Sequence, residues 1–263
     1  MPDCKASGPR GSAVPAPAED GRPRPTAKLG PSAPSGQKTR PWEEVKGRID
    51  SVYNGSAVDG RGLRCVIFFS GCNLRCPFCH NPETLFLPGK EVAAGETVRG
   101  VLRYRTYLKK GGVTLSGGEP FLQPDFCLAL ISGLHAEGLS VCAETNGQIL
   151  NRDIIRAADG FLTDVKNQTS DDLSAYEAFL AACREAGKEV TLTNVLVPGV
   201  NDAPEKLDDL GRLARQFGLP LKLLPFRKLC LDKYRELGRP FAYETYREAE
   251  AEDLARARGR LGL

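Results

Sequence analysis

Three cysteines lie close together at Cys72, Cys76 and Cys79, in the stretch CNLRCPFCHNPET. Their C-x3-C-x2-C spacing puts three soft donors on one loop directly after an apolar run. Tetrahedral metal sites and ordinary iron–sulfur clusters each take four protein ligands. A loop supplying three therefore either borrows a ligand from elsewhere or leaves one coordination position to a small molecule. Structural zinc is one alternative, with His80 as the fourth ligand. It fits poorly, because zinc sites pair two separated ligand knuckles and neither a second C-x2-C nor an H-x3-H occurs here. His80 also adjoins Cys79, which strains closure around one ion. Three reduced thiols in a turn are a second reading, disfavoured by spacing this tight directly after a β-like run. The third is a [4Fe–4S] cluster held through three irons, its fourth open to a chelating substrate.

Other polar groups recur where β-like runs end. Gly117, Gly118 and Glu119 close GVTLSGGE, Glu144 closes SVCAE, and Asp164, Val165 and Lys166 close FLTDVK. Asp164 and Lys166, two apart on a strand, project to one face and can reach one zwitterionic ligand. Glycines at Gly117 and Gly118 let backbone come close to a ligand where side chains would intrude.

These motifs must be carried by repeated elements. Short β-rich runs at 65–69, 112–116, 140–144, 161–165, 190–196 and 221–225 alternate with helical stretches near 96–110, 125–137, 151–158, 171–186, 204–217 and 244–260. Six βα units in succession predict parallel strands with crossover helices. Asp171 and Asp172, and Pro204, mark helix starts, while Gly187 and Gly218 mark helix ends. A decorated carboxyl end on every strand favours a barrel, complete or incomplete, over an open sheet with a single switch point.

Bulk composition narrows the class. The chain has 263 residues, 41% of them apolar, enough to bury a full core. Residues 1–41 hold nine of the nineteen prolines and few large apolar side chains, so they are expected to be a disordered extension to a domain spanning 42–263. Seven basic and three acidic residues in 1–40 leave the remainder at 3 − 4 = −1, without the concentrated basic face of a nucleic-acid binder. No run approaches the ~20 apolar residues of a membrane span. The N-terminus lacks a signal-peptide core, and nine cysteines at irregular spacing suit a reducing cytoplasm, where thiols bind metals.

CNLRCPFC resembles the cysteine signature of the radical S-adenosylmethionine (SAM) enzymes, which implies a partial or complete βα barrel with SAM on the open iron. VDGRGLR, GGVTLSGGEPFLQPDF, ETNG, DVK, VLVPGVND and LLPFRKL extend the resemblance to the glycyl-radical-enzyme activases, the pyruvate formate-lyase subgroup in particular. The expected fold is an incomplete (β/α)6 TIM-type barrel. The expected activity is reductive cleavage of SAM to a 5′-deoxyadenosyl radical that removes hydrogen from a glycine of a partner glycyl radical enzyme. Cys72, Cys76 and Cys79 would bind the cluster, and Phe78 and His80 would lie by the adenine. The Gly117–Glu119 segment would hold the SAM amino group, and Asp164, Val165 and Lys166 would contact SAM. Glu144 and Asp164 would share a monovalent cation, with Thr145 beside them. The family commonly has arginine where this chain has Thr193, histidine where it has Arg227, and aspartate at Glu144; Arg227 can still donate to a carboxylate or ribose. No cysteine occurs between Cys79 and Val113, so one cluster is expected. A flavodoxin or ferredoxin would donate electrons, and the protein would be a monomer. The activase of anaerobic ribonucleotide reductase is the nearest rival, and a non-catalytic zinc-binding module is a rival of another class.

Overall fold

The six apolar runs become six parallel strands, ordered as they occur in the chain. In a computed structural model describing residues 41–263, β1 (Lys46–Ser56), β2 (Arg64–Phe69), β3 (Lys90–Ala93), β4 (Gly112–Gly117), β5 (Val141–Thr145), β6 (Gly160–Asp164), β7 (Glu189–Leu196) and β8 (Leu221–Pro225) form one sheet. Its order is β3-β1-β2-β4-β5-β6-β7-β8. From β2 through β8 every pairing is parallel, whereas β1 runs antiparallel to both β2 and β3. The sheet has two free ends, β3 and β8, so the barrel is incomplete. The expected disorder of residues 1–40 lies outside the described residues.

Helices α1 (Pro82–Phe86), α2 (Ala94–Leu102), α3 (Arg105–Leu108), α4 (Pro124–Ala136), α5 (Arg152–Ala157), α6 (Ser174–Glu185), α7 (Pro204–Phe217), α8 (Leu231–Glu236) and α9 (Ala251–Leu261) complete the chain. The strands' outward residues, such as Ile67, Leu115, Ala143, Phe161 and Leu192, are buried against the helices. There Phe161 meets Phe179 edge-on at 5.5 Å, a geometry favoured by the ring quadrupoles. Inward positions alternate with these and include the polar Thr114, Ser116, Glu144 and Asp164, with apolar Val66 and Leu162 paired to Thr114 and Glu144 on neighbouring strands. Parallel strands are commonly apolar on both faces, so these polar groups mark the space a ligand would fill.

Several boundaries differ from those expected. The stretch near 96–110 is two helices, because the chain turns at Tyr104, whose N–H bonds Val101 O at 2.9 Å. The stretch near 171–186 starts at Ser174, where Asp172 Oδ1 accepts the Ser174 N–H at 2.9 Å. The final helix begins at Ala251 rather than near 244, since Glu250 and Asp253 form a reciprocal capping box there. Gly218 takes a left-handed conformation with φ of 64° and ends α7 as expected. Strands β1 and β3 had no counterpart in the sequence reading; their alternation is interrupted by charged and small residues.

Candidate functional site

The cysteine loop is pinned at both ends before any ligand is considered. Gly71 N–H donates to Thr84 O at 2.7 Å and Cys79 N–H to Cys76 O at 3.1 Å. Phe78, 3% exposed, inserts into an apolar cluster with Val197, Phe226 and Tyr234. Thus the residue between the last two cysteines anchors the loop to the chain that follows β8. His80 Nε2 lies 2.7 Å from Arg227 O, and Lys233 Nζ lies 2.6 Å from Glu83 Oε1. Both contacts join the cysteine loop to the segment beyond the last strand.

Gly117 and Gly118 hold the turn after β4 against that loop. Gly117 has φ of 102°, and a Cβ there would come within 2.4 Å of Phe69 N. A Cβ on Gly118 would lie 1.9 Å from Gly71 O. The close approach that demands glycine is therefore backbone to backbone. Glu119 faces away from the opening. Its fully buried carboxylate accepts from Thr145 Oγ1 and Asn146 N–H, both at 2.8 Å, and from Phe121 N–H at 3.1 Å. Burial pushes this carboxyl above its ordinary range, and the three donors oppose the shift.

These elements enclose a cleft of about 590 Å³, within the range of small-molecule sites. The three cysteines, Phe78, His80, Gly117, Gly118, Glu144, Asp164 and Lys166 all line it, with Val195, Leu224 and Leu229 as an apolar wall. Val165 does not: it is buried, its N–H bonded to Thr193 O at 2.8 Å. The Arg227 guanidinium turns toward Ala249 O and lies 3.8 Å from Glu248. Thr145 points its hydroxyl to Glu119 and not toward Glu144.

Lys166 carries the cationic charge of the cleft. Its Nζ is 2.6 Å from Asp164 Oδ2 and 5.2 Å from the Phe78 ring centroid. Burial acts to lower its pKa, yet Asp164 and the cysteine sulfurs outweigh it and raise the value. Tyr176 OH accepts the Lys166 N–H at 2.8 Å. Asn194 and Asn201 both donate to Asn167 Oδ1, at 2.8 and 2.9 Å, bracing the segment immediately after Lys166. Burial pushes Glu144 up to about 7, with Asp59 and Asp164 adding to the rise and Ser116 opposing it through a 2.5 Å hydrogen bond. Burial likewise raises Cys72 and Cys76 and takes Cys79 to about 11, with Lys166 acting in the opposite direction on each.

This donor set fits a cluster better than a single ion. Zinc ligands converge on one point, with Zn–S near 2.3 Å. Among the described residues, no three His, Cys, Asp or Glu side chains gather in that way. His80 Nε2 is turned to Arg227 O. Three thiols that each meet a different iron need no common centre.

Asn146, Asn167, Asn194, Asn201, Tyr176 and Asp59 were not among the residues singled out from sequence. Two of the asparagines do have a signal, since Asn146 falls in ETNG and Asn201 in VLVPGVND, both noted above, while Asn167 directly follows DVK and Asn194 lies within β7.

An incomplete βα barrel with a three-cysteine loop at the mouth defines a radical SAM enzyme. A radical SAM methyltransferase from Sphaerobacter thermophilus superposes with a TM-score of 0.56 at 20% identity, over 76% of this chain and 63% of that one. SuiB of Streptococcus suis, solved with S-adenosylmethionine, gives 0.54 at 14%, over 75% and 48%. Residues 58–170 match the family described as a 4Fe-4S single cluster domain. The pyruvate formate-lyase-activating enzyme of Clostridium pasteurianum is 34% identical over 209 residues, covering 74% of this chain and 88% of that protein. That of Staphylococcus epidermidis is 32% identical over 236 residues, covering 81% and 94%. The chain belongs to the pyruvate formate-lyase-activating enzyme family.

Proposed function

We propose that this protein is a radical SAM activase that installs a glycyl radical on a partner enzyme of the pyruvate formate-lyase type. Cys72, Cys76 and Cys79 would hold one [4Fe–4S] cluster, and the cleft would hold SAM. When bound, the two supply a one-electron reduction of the sulfonium and a carbon radical that removes a hydrogen atom from the partner's glycine. The observation that carries this reading is the meeting of three thiols and the Lys166–Asp164 pair across one cleft.

The chain's own groups divide the binding work. Lys166 and Asp164 offer opposite charges to the methionyl end of SAM, beside the Gly117–Gly118 turn. Val195, Leu224 and Leu229 provide an apolar wall for the adenine, near Phe78 and His80. Glu144 and Asp164, whose charges repel, suit a monovalent cation that would return Glu144 to its ionised form. The gap between β8 and the antiparallel pair leaves a lateral way in for a glycine-bearing loop. Electrons would come from flavodoxin or ferredoxin, and the protein would act as a cytoplasmic monomer. No helix among the described residues is long and apolar enough to cross a membrane.

Anaerobic reconstitution tests this directly. The expected result is a brown protein with about four irons per chain, whose reduced EPR signal changes on adding SAM, and whose iron is lost in Cys76→Ala. A colourless protein holding one zinc, or an EPR signal indifferent to SAM, overturns the proposal.

A further inference from the structure

The turn after β5 meets the cysteine loop through one side chain, Asn146, which is 7% exposed. Its Oδ1 accepts the Gln148 N–H at 3.1 Å. That contact fixes the carboxamide's orientation, since the amide nitrogen could not accept a hydrogen bond there. Nδ2 therefore faces the cysteine loop, with two hydrogens and two acceptors before it. Asn73 Oδ1 lies at 2.8 Å and Cys72 Sγ at 3.8 Å. The same sulfur receives the Leu74 N–H at 3.4 Å. Behind the turn, the buried Glu119 carboxylate takes the Asn146 backbone N–H at 2.8 Å and so sets where the side chain begins.

We infer that Asn146 is a positioning residue for the cluster ligand Cys72, which directs an amide N–H at its sulfur and thereby raises the cluster's reduction potential. The inference rests on the functional reading above. A hydrogen bond to a ligating sulfur stabilises the more negative, reduced state, and such bonds are among the protein's means of setting a cluster's potential. Cys72 is favoured over its two companions by place. It is the first cysteine after β2 and sits against the β5 turn, whereas Cys76 packs against the apolar cluster that includes Phe226 and Tyr234 beyond β8. Glu119 acts at one remove, through the turn that it holds.

Two substitutions separate a hydrogen bond from mere packing. Asn146→Asp keeps the shape and the acceptor for Gln148 but sets a carboxylate oxygen against the sulfur, while Asn146→Ala removes the amide. In EPR-monitored redox titrations of the iron-loaded protein, Asn146→Ala should lower the reduced-to-oxidised ratio at fixed poise about tenfold, equal to 59 mV for a one-electron couple. Asn146→Asp should lower it further. Ratios unchanged in both, with iron retained, overturn the inference. If neither variant retains iron, Asn73→Ala decides. It removes the competing acceptor, so the ratio should rise; no rise, or a fall, overturns the inference. A parental protein that takes up no iron would instead remove the functional reading itself.

Discussion

The two ends of the parallel strands treat buried charge in opposite ways. At their amino ends Arg64, 2% exposed, fills the floor of the incomplete barrel. It donates to Thr114 Oγ1 at 2.7 Å, Val113 O at 2.5 Å and Gly111 O at 2.9 Å, with longer bonds to Arg61 O and Ser140 O. At their carboxyl ends the Lys166 ammonium has Asp164 as its one hydrogen-bond partner among the described residues, with the Phe78 ring beside it. Asp164 Oδ1 and Thr193 Oγ1 are buried there without a partner among the described residues. The two residues pair across β6 and β7. A buried polar group left unpaired costs stability unless a ligand or water completes it. The floor is thus complete by itself, and the mouth is completed by what binds.

Substitution should break this contrast at the floor first. Arg64→Met takes the guanidinium donors from buried Thr114 Oγ1 and Val113 O, while Gly111 O keeps the Ser140 hydroxyl at 2.7 Å, and should cost about 3 kcal/mol of unfolding free energy in urea titration. A loss below about 1 kcal/mol would show that the guanidinium is not what closes the floor.

At the mouth, the sharper test is pH. Glu144 titrates near 7 in the folded chain against 4.5 ordinarily. Between those two values the folded state holds a proton that the unfolded state has released, so stability falls as pH rises. The fall should reach roughly 2 kcal/mol, and Glu144→Gln should flatten it. A parental curve that is already flat, with no added cation, would mean that folding leaves Glu144 at its ordinary value.

The smallest effect belongs to Lys166→Ala. It should leave iron content unchanged and weaken SAM affinity about tenfold, or about 1.4 kcal/mol, in equilibrium binding under anaerobic conditions. Parental affinity would remove Lys166 from the binding site. Asp164→Ala should act in the same direction.

The parallel part of the fold was legible because each of its six strands is a short apolar run followed by an amphipathic helix, a pattern that recurs whatever the tertiary context. β1 and β3 were not, since β1 mixes Ile49 with Arg48, Asp50 and Asn54, and β3 has only four residues. In the site, the cysteines and the Asp164–Lys166 pair could be read from spacing, since a loop or a strand alone brings each set together. Glu119, Val165 and Arg227 are present where the motifs place them, but their side chains turn to the interior or to the segment near Ala249. Motif position does not set a side chain's direction once a nearer polar partner exists.

By itself the sequence determined the three-thiol loop, the alternation that puts its companions at strand ends, and the family. Those properties are local, or follow from a pattern repeated along the chain. Only the tertiary structure decided that Gly118 is required by Gly71, that Asn146 faces Cys72, and that Arg64 closes the floor. Each of these joins residues 47 to 74 positions apart, and such contacts exist only after the sheet has curved and brought its strand ends together.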